Sequence, residues 1–85
     1  MNQRDVLVRV RAIVAKAIRH RFFLPSVPDY VTLDDLCVDH IERAMIAWHI
    51  EEEWIIEFTG EEMELWRDMS ELASDVCKRI ARSQR

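Results

Sequence analysis

A single glycine, Gly60, and two prolines confined to positions 25 and 28 leave this 85-residue chain with almost no punctuation. Those two residue types supply most of the breaks that tight turns and strand ends require. Alternating β-branched residues run no further than Val6, Val8 and Val10, so the chain reads as helical with one forced interruption near its first third. Before that interruption Val6, Val10, Ile13 and Ala17 recur at spacings of three and four, and Leu7, Val14 and Ile18 widen the stripe. This predicts an amphipathic first helix over about Gln3–His20 with its arginines outside. Pro25, Ser26, Pro28 and Asp29 then stop helix propagation, because proline removes a backbone donor and restrains the residue before it. A long loop is expected to about Val38.

Asp39 is placed to cap a second helix, with Glu42 three residues on completing a capping-box spacing. Within that helix Ile46, Ala47, Ile50 and Trp54 point to a core, whereas Glu42, Met45, Trp48, His49 and Glu52 fall toward the other side; it should end near Trp54. Thr59 and Gly60 start a short third turn, Glu61–Trp66, whose acidic beginning suits the helix dipole. Asp68 and Glu71 form another D-x-x-E start, for a last helix over about Met69–Ala81. Its apolar face is Met69, Leu72, Ala73, Val76 and Ile80, and Lys78, Arg79 and Arg82 sit favourably at its C-terminal end. The expected architecture is all-α: a four-helix bundle of three longer helices and one short one, with a long loop between the first and second, in a single domain spanning residues 1–85.

Composition narrows the function classes. A chain that is 49% hydrophobic and 33% charged suits a folded domain better than a disordered one. No apolar run approaches the roughly 18–20 residues of a membrane span, and the first residues lack the pattern of a signal peptide, so neither membrane insertion nor export is expected. Cys37 and Cys77 are far apart and have no metal or redox spacing, which reads as two reduced thiols in a cytoplasmic protein. Cys37, His40, His49 and Glu53 fall short of a four-ligand zinc pattern, so no metal is expected.

The net charge of −4 conceals an asymmetry. Arg4, Arg9, Arg11, Lys16, Arg19 and Arg21 face only Asp5 in the first 21 residues, while fifteen acidic residues between Asp29 and Asp75 face only Arg43 and Arg67; Lys78, Arg79, Arg82 and Arg85 follow. The middle is therefore an acidic surface suited to a basic partner, or else its acids pair with the chain's own basic ends. Nucleic acid is a poor candidate, because the cations are not interleaved with exposed aromatics and the whole is acidic.

The stretch from Thr32 to Phe58, T-L-D-D-L-C-V-D-H-I-E-R-A-M-I-A-W-H-I-E-E-E-W-I-I-E-F, resembles the heart of an acyl carrier protein. There the family has D-L-G-x-D-S-L/I, a helix of about four turns, then E-E-x-F/Y. D-M-S-E-L-A-S-D-V, from Asp68 to Val76, is similar to its fourth-helix pattern T-V-x-D-L-x-x-x-V, and the likeness extends from about Asp5 to Ile80. Two departures meet at the functional point. Cys37 stands where the family has glycine, and His40 stands where it has the serine that carries phosphopantetheine.

Loading that serine needs a hydroxyl oxygen to attack coenzyme A and leave a stable phosphodiester; imidazole cannot give the same product, and a histidine adduct would be a labile phosphoramidate. Ser26, Ser70 and Ser74 lie outside the motif. The resemblance therefore implies a carrier-like domain with no cofactor and no catalytic residue, and it implies docking through the second helix, the family's partner surface. Carried over by position, that surface comprises Asp39, His40, Ile41, Glu42, Met45, Trp48 and Glu52. Trp48 is its sharpest member, a large apolar anchor among carboxylates; the competing expectation packs it against Phe22, Phe23 or Tyr30. Two other readings stand beside this one: a genuine carrier with an unusual or altered attachment site, and a small cofactor-free enzyme using Cys37 and His40.

Overall fold

The computed structural model describes residues 2–83. Helix α1 spans Gln3–Ala17, α2 His40–Trp54, α3 Gly60–Glu64 and α4 Met69–Ser83, and a single 3₁₀ turn, Leu24–Ser26, interrupts the long first loop. No strand forms among the described residues; Thr32 and Asp68 make one isolated antiparallel bridge. None of the helices is long and apolar enough to cross a membrane.

The caps follow from the side chains at each boundary. Asn2 accepts a hydrogen bond from the Asp5 amide at the start of α1. Asp39 with Glu42, and Thr59 with Glu62, form reciprocal capping boxes at α2 and α3. At α4, Asp68 accepts from the Glu71 amide at 2.8 Å. The last turn of α1 departs from the sequence expectation: the helix stops at Ala17 rather than His20. Arg19 and His20 adopt left-handed backbone, with φ of 55° and 53°. The His20 amide returns to the Ala15 carbonyl at 2.9 Å and the Arg19 amide to Lys16 at 3.1 Å, the two bonds of a Schellman ending. The third helix is also shorter than expected, ending at Glu64, while α4 runs two residues further than the expected Ala81.

The stripes read from the spacing meet in one continuous core. Val6, Val10, Val14 and Ile18 from the α1 region, Ile46 and Ile50 from α2, and Met69, Leu72 and Val76 from α4 are fully enclosed, joined by Leu33 from the long loop. Trp66 is buried, Trp54 and Ile80 only partly so. Of the paired elements, α1 and α4 pack most extensively, followed by α1 with α2. The long loop is fastened to the opposite end of the chain by the Leu33 amide, which donates to the Arg67 carbonyl at 2.7 Å.

Charge pairing uses the basic N-terminal segment. Arg9 reaches Glu53, Arg11 reaches Asp29, and Arg21 reaches Glu42. Near the C-terminus Arg79 pairs with Glu62 and Asp75, and its guanidinium carbon lies 4.5 Å from the centre of the Phe58 ring. Part of the acidic middle is thus neutralised within the fold. Arg85, counted above among the C-terminal cations, lies outside the described residues.

Candidate functional site

Helix α2 presents two faces, and its outer one gathers most of the residues singled out from the sequence. Ile41, Met45, Trp48 and Glu52 recur at spacings of four, three and four, which at 100° per residue keeps them on one narrow stripe. All four are exposed. Trp48 is 56% exposed and Ile41 61%. The Trp48 indole stays clear of the aromatic residues of the first loop as a ring partner; it stacks at a tilt on the neighbouring His49, with ring centres 5.0 Å apart. Phe23 and Tyr30 are themselves exposed.

Asp39 and His40 sit at the N-terminal end of the stripe, both exposed, His40 as the first residue of α2. The Asp39 carboxylate accepts from the Glu42 amide at 2.7 Å. Glu42 is placed differently from the other members of the set. It is half-buried, its two oxygens take Nη1 and Nη2 of Arg21 at 2.6 and 3.0 Å, and one of them also accepts from the Asp39 amide. The Arg21 hydrogen bond holds this carboxyl below its usual range. Arg21 also donates to the carbonyls of Leu36 and Cys37, so one side chain ties the end of α1 to the approach to α2.

Cys37 is exposed and has φ of 59°. That left-handed backbone disfavours any residue with a Cβ, by roughly 1–2 kcal/mol. No hydrogen bond joins Cys37 to His40 among the described residues, and no third group orients the pair. Cys77 is a second free thiol, half-buried on α4, and burial raises its pKa. No three histidine, cysteine or acidic side chains come together as a metal set among the described residues.

The inner face of α2 contains the residue that sequence reasoning missed. Arg43 was read only as one cation in the acidic middle, yet it is 6% exposed, the sole buried charged side chain among the described residues. Its Nη1 donates to the carbonyls of Met63 and Trp66 at 2.8 and 2.9 Å, and Nη2 reaches Asp34 at 3.3 Å. These bonds occupy the carbonyls at the end of α3 and just beyond it, where a helix C-terminus leaves acceptors without partners. The signal was available: position 43 precedes Ile46, Ala47 and Ile50 at the spacing of the core stripe. Beside it, Trp66 meets Phe58 edge-on at 5.1 Å, and its buried indole N–H has no acceptor among the described residues.

Comparison with protein-family models, with curated proteins and with solved structures gives no match. What the arrangement offers is an exposed apolar stripe with acids at its ends, on a helix whose opposite face is locked into the core.

Proposed function

We propose that this chain is an acyl-carrier-protein-like bundle that cannot be loaded with phosphopantetheine and acts as a non-catalytic interaction or regulatory partner. Its partner is a protein with a basic docking surface, within cytoplasmic fatty-acid, polyketide or related lipid metabolism. The observation that carries this reading is the outer stripe of α2. Ile41, Met45 and Trp48 begin one residue after His40, lie in a row on a rigid helix, and are bordered by Asp39 and Glu52. An apolar centre with a charged rim is the composition of a binding patch, and tryptophan is the residue type most often dominant in one.

Two features support the family resemblance. Helix order and lengths match the layout the family implies, with the long loop ahead of α2. Cys37 holds the left-handed backbone that favours glycine, the residue the family places there. His40 supports the loss of loading, since its imidazole stands at the position that the resemblance gives to the attachment serine, and D-L-C-V-D-H-I, from Asp35 to Ile41, contains no hydroxyl.

The test is incubation with coenzyme A and a broad-specificity phosphopantetheinyl transferase, followed by intact mass. An unchanged mass is expected; a stoichiometric addition would favour the genuine-carrier reading and overturn this one. Docking is then tested by titrating carrier-binding enzymes of these pathways. Trp48→Ala and Glu52→Arg should each weaken a measured affinity by about tenfold or more while the helical signal is retained. Ordinary thiol-labelling rates at Cys37 are expected, and these would dispose of a Cys37–His40 nucleophile.

A further inference from the structure

The outer side of α1 continues the surface that α2 presents. Val8, Ala12 and Ala15 recur along it, Val8 64% exposed and Ala12 exposed beside it. Arg4, Lys16 and Arg19 surround this row and have no carboxylate within salt-bridge distance among the described residues. The two outer stripes face the same way, because Ala12 and Lys16 of α1 border one shallow groove together with His49 and Glu52 of α2. One helix offers small apolar residues among cations. The other offers large apolar residues with carboxylates at its C-terminal end.

The relative direction of these helices is fixed by two ion pairs. Arg9 of α1 pairs with Glu53 at 2.8 Å, and Arg21, just beyond the end of α1, pairs with Glu42 at 2.6 Å, so the end of α1 lies by the start of α2 and the helices are antiparallel. A two-fold axis parallel to both helices would turn α1 of one copy over α2 of another without changing height. Trp48 lies between the two ion-pair rows, next to His49, which shares the groove with Ala12 and Lys16. Glu52 shares the groove with Arg9, one turn of α1 beyond Arg4, whereas Glu51 is turned away and accepts from the Phe58 amide.

We infer that a second copy of this chain covers the face, forming an isologous dimer in which α2 of each copy lies on α1 of the other. Trp48 seats over Ala12 and Ala15 of the opposite copy, a large side chain on small ones. The acidic end of each α2 meets the basic start of the opposite α1. Because every contact occurs twice, the assembly closes at two copies rather than growing into a fibre. This inference does not rest on the family resemblance. It adds regulation to the docking reading, since the dimer hides the stripe that a basic partner would need.

The test is sedimentation equilibrium of the full chain across a concentration series, with variants checked for helical signal and cooperative unfolding. The mass of the wild type should rise from 10.2 kDa toward twice that value, with the rise moving to higher concentration as salt increases. Trp48→Asp and Ala12→Trp should each remain monomeric over the whole range. An equimolar mixture of the two should recover part of the association, because one of its two Trp48–Ala12 contacts is intact. A wild type that stays monomeric at every concentration overturns the inference but leaves partner docking standing. Association of Ala12→Trp equal to the wild type also overturns it, because α2 would then be meeting something other than α1.

Discussion

Arg43 and Trp48 lie on the same helix and reverse the usual placement of their residue types. On the inner face of α2 a guanidinium is enclosed with Ile46 and Ile50, while on the outer face a tryptophan stands more than half exposed with Ile41 and Met45. The inner charge is accommodated because its Nη1 fills two acceptors that the end of α3 would otherwise leave bare, while Nη2 reaches the Asp34 carboxylate. The outer aromatic has no comparable internal partner beyond the adjacent His49. The difference teaches that α2 is apolar on two sides for two purposes: one side fixes the fold, and the other is open to contact.

The largest effects should come from the inner face. Ile50→Ala removes a fully enclosed side chain and should cost about 2–5 kcal/mol. Arg43→Met leaves the Met63 and Trp66 carbonyls without their donor and should cost on the order of 3 kcal/mol. Both are read by chemical denaturation. If Arg43→Met were neutral, the buried guanidinium would be incidental and the contrast between the faces would lose its basis.

At the two ends of α2 the backbone itself is strained, with Cys37 and Ile55 both left-handed. Ile55 is β-branched and 87% exposed, so its side chain gains little from packing to offset that conformation. Ile55→Gly and Cys37→Gly should each stabilise the fold by up to about 1 kcal/mol, the relief being partly offset by glycine's greater freedom when unfolded. A loss of stability in either variant would show that the side chain matters more than the backbone there.

A smaller, pH-dependent effect belongs to α3. The Arg79 hydrogen bond, then the Thr59 amide, hold Glu62 down from 4.5 to about 2. A carboxyl depressed in the folded state contributes stability above its unfolded value and loses it as pH falls through the folded one. This contribution is therefore present above pH 4.5 and disappears toward pH 2, muted by salt because the pair lies at the surface. Glu62→Gln should flatten that part of an acid denaturation curve. The smallest effect on stability is expected from Trp48→Ala, within about 1 kcal/mol by the same denaturation assay. A loss as large as that of Ile50→Ala would erase the distinction between the two faces.

Much of this fold was legible in the sequence, because the core stripes and caps are local signals. Val6, Val10, Ile13 and Ala17 declare one face of a helix by spacing alone, and Asp39 with Glu42 marks where α2 begins. The ending of α1 was not legible, since neither Arg19 nor His20 advertises left-handed backbone as glycine or asparagine would. Arg43 was obscured for a related reason: residue type suggested surface, and only its position on the core stripe contradicted that. In the candidate site, the outward placement of Met45, Trp48 and Glu52 followed from helical geometry. The engagement of Glu42 by Arg21 did not, because that contact joins segments 21 residues apart.

The extensive packing of α1 against α4 has a consequence for how the chain acquires its structure. Its most heavily used partners, α1 and α4, are separated along the chain by both α2 and α3. Until α4 is available, Val6, Val10 and Val14 lack much of their cover, so an emerging chain exposes this stripe until α4 has been made. Folding of this domain then waits for α4, although small helical domains close rapidly once all their parts are present. A ribosome-bound chain halted before Met69 should therefore remain open to proteases that the finished protein resists.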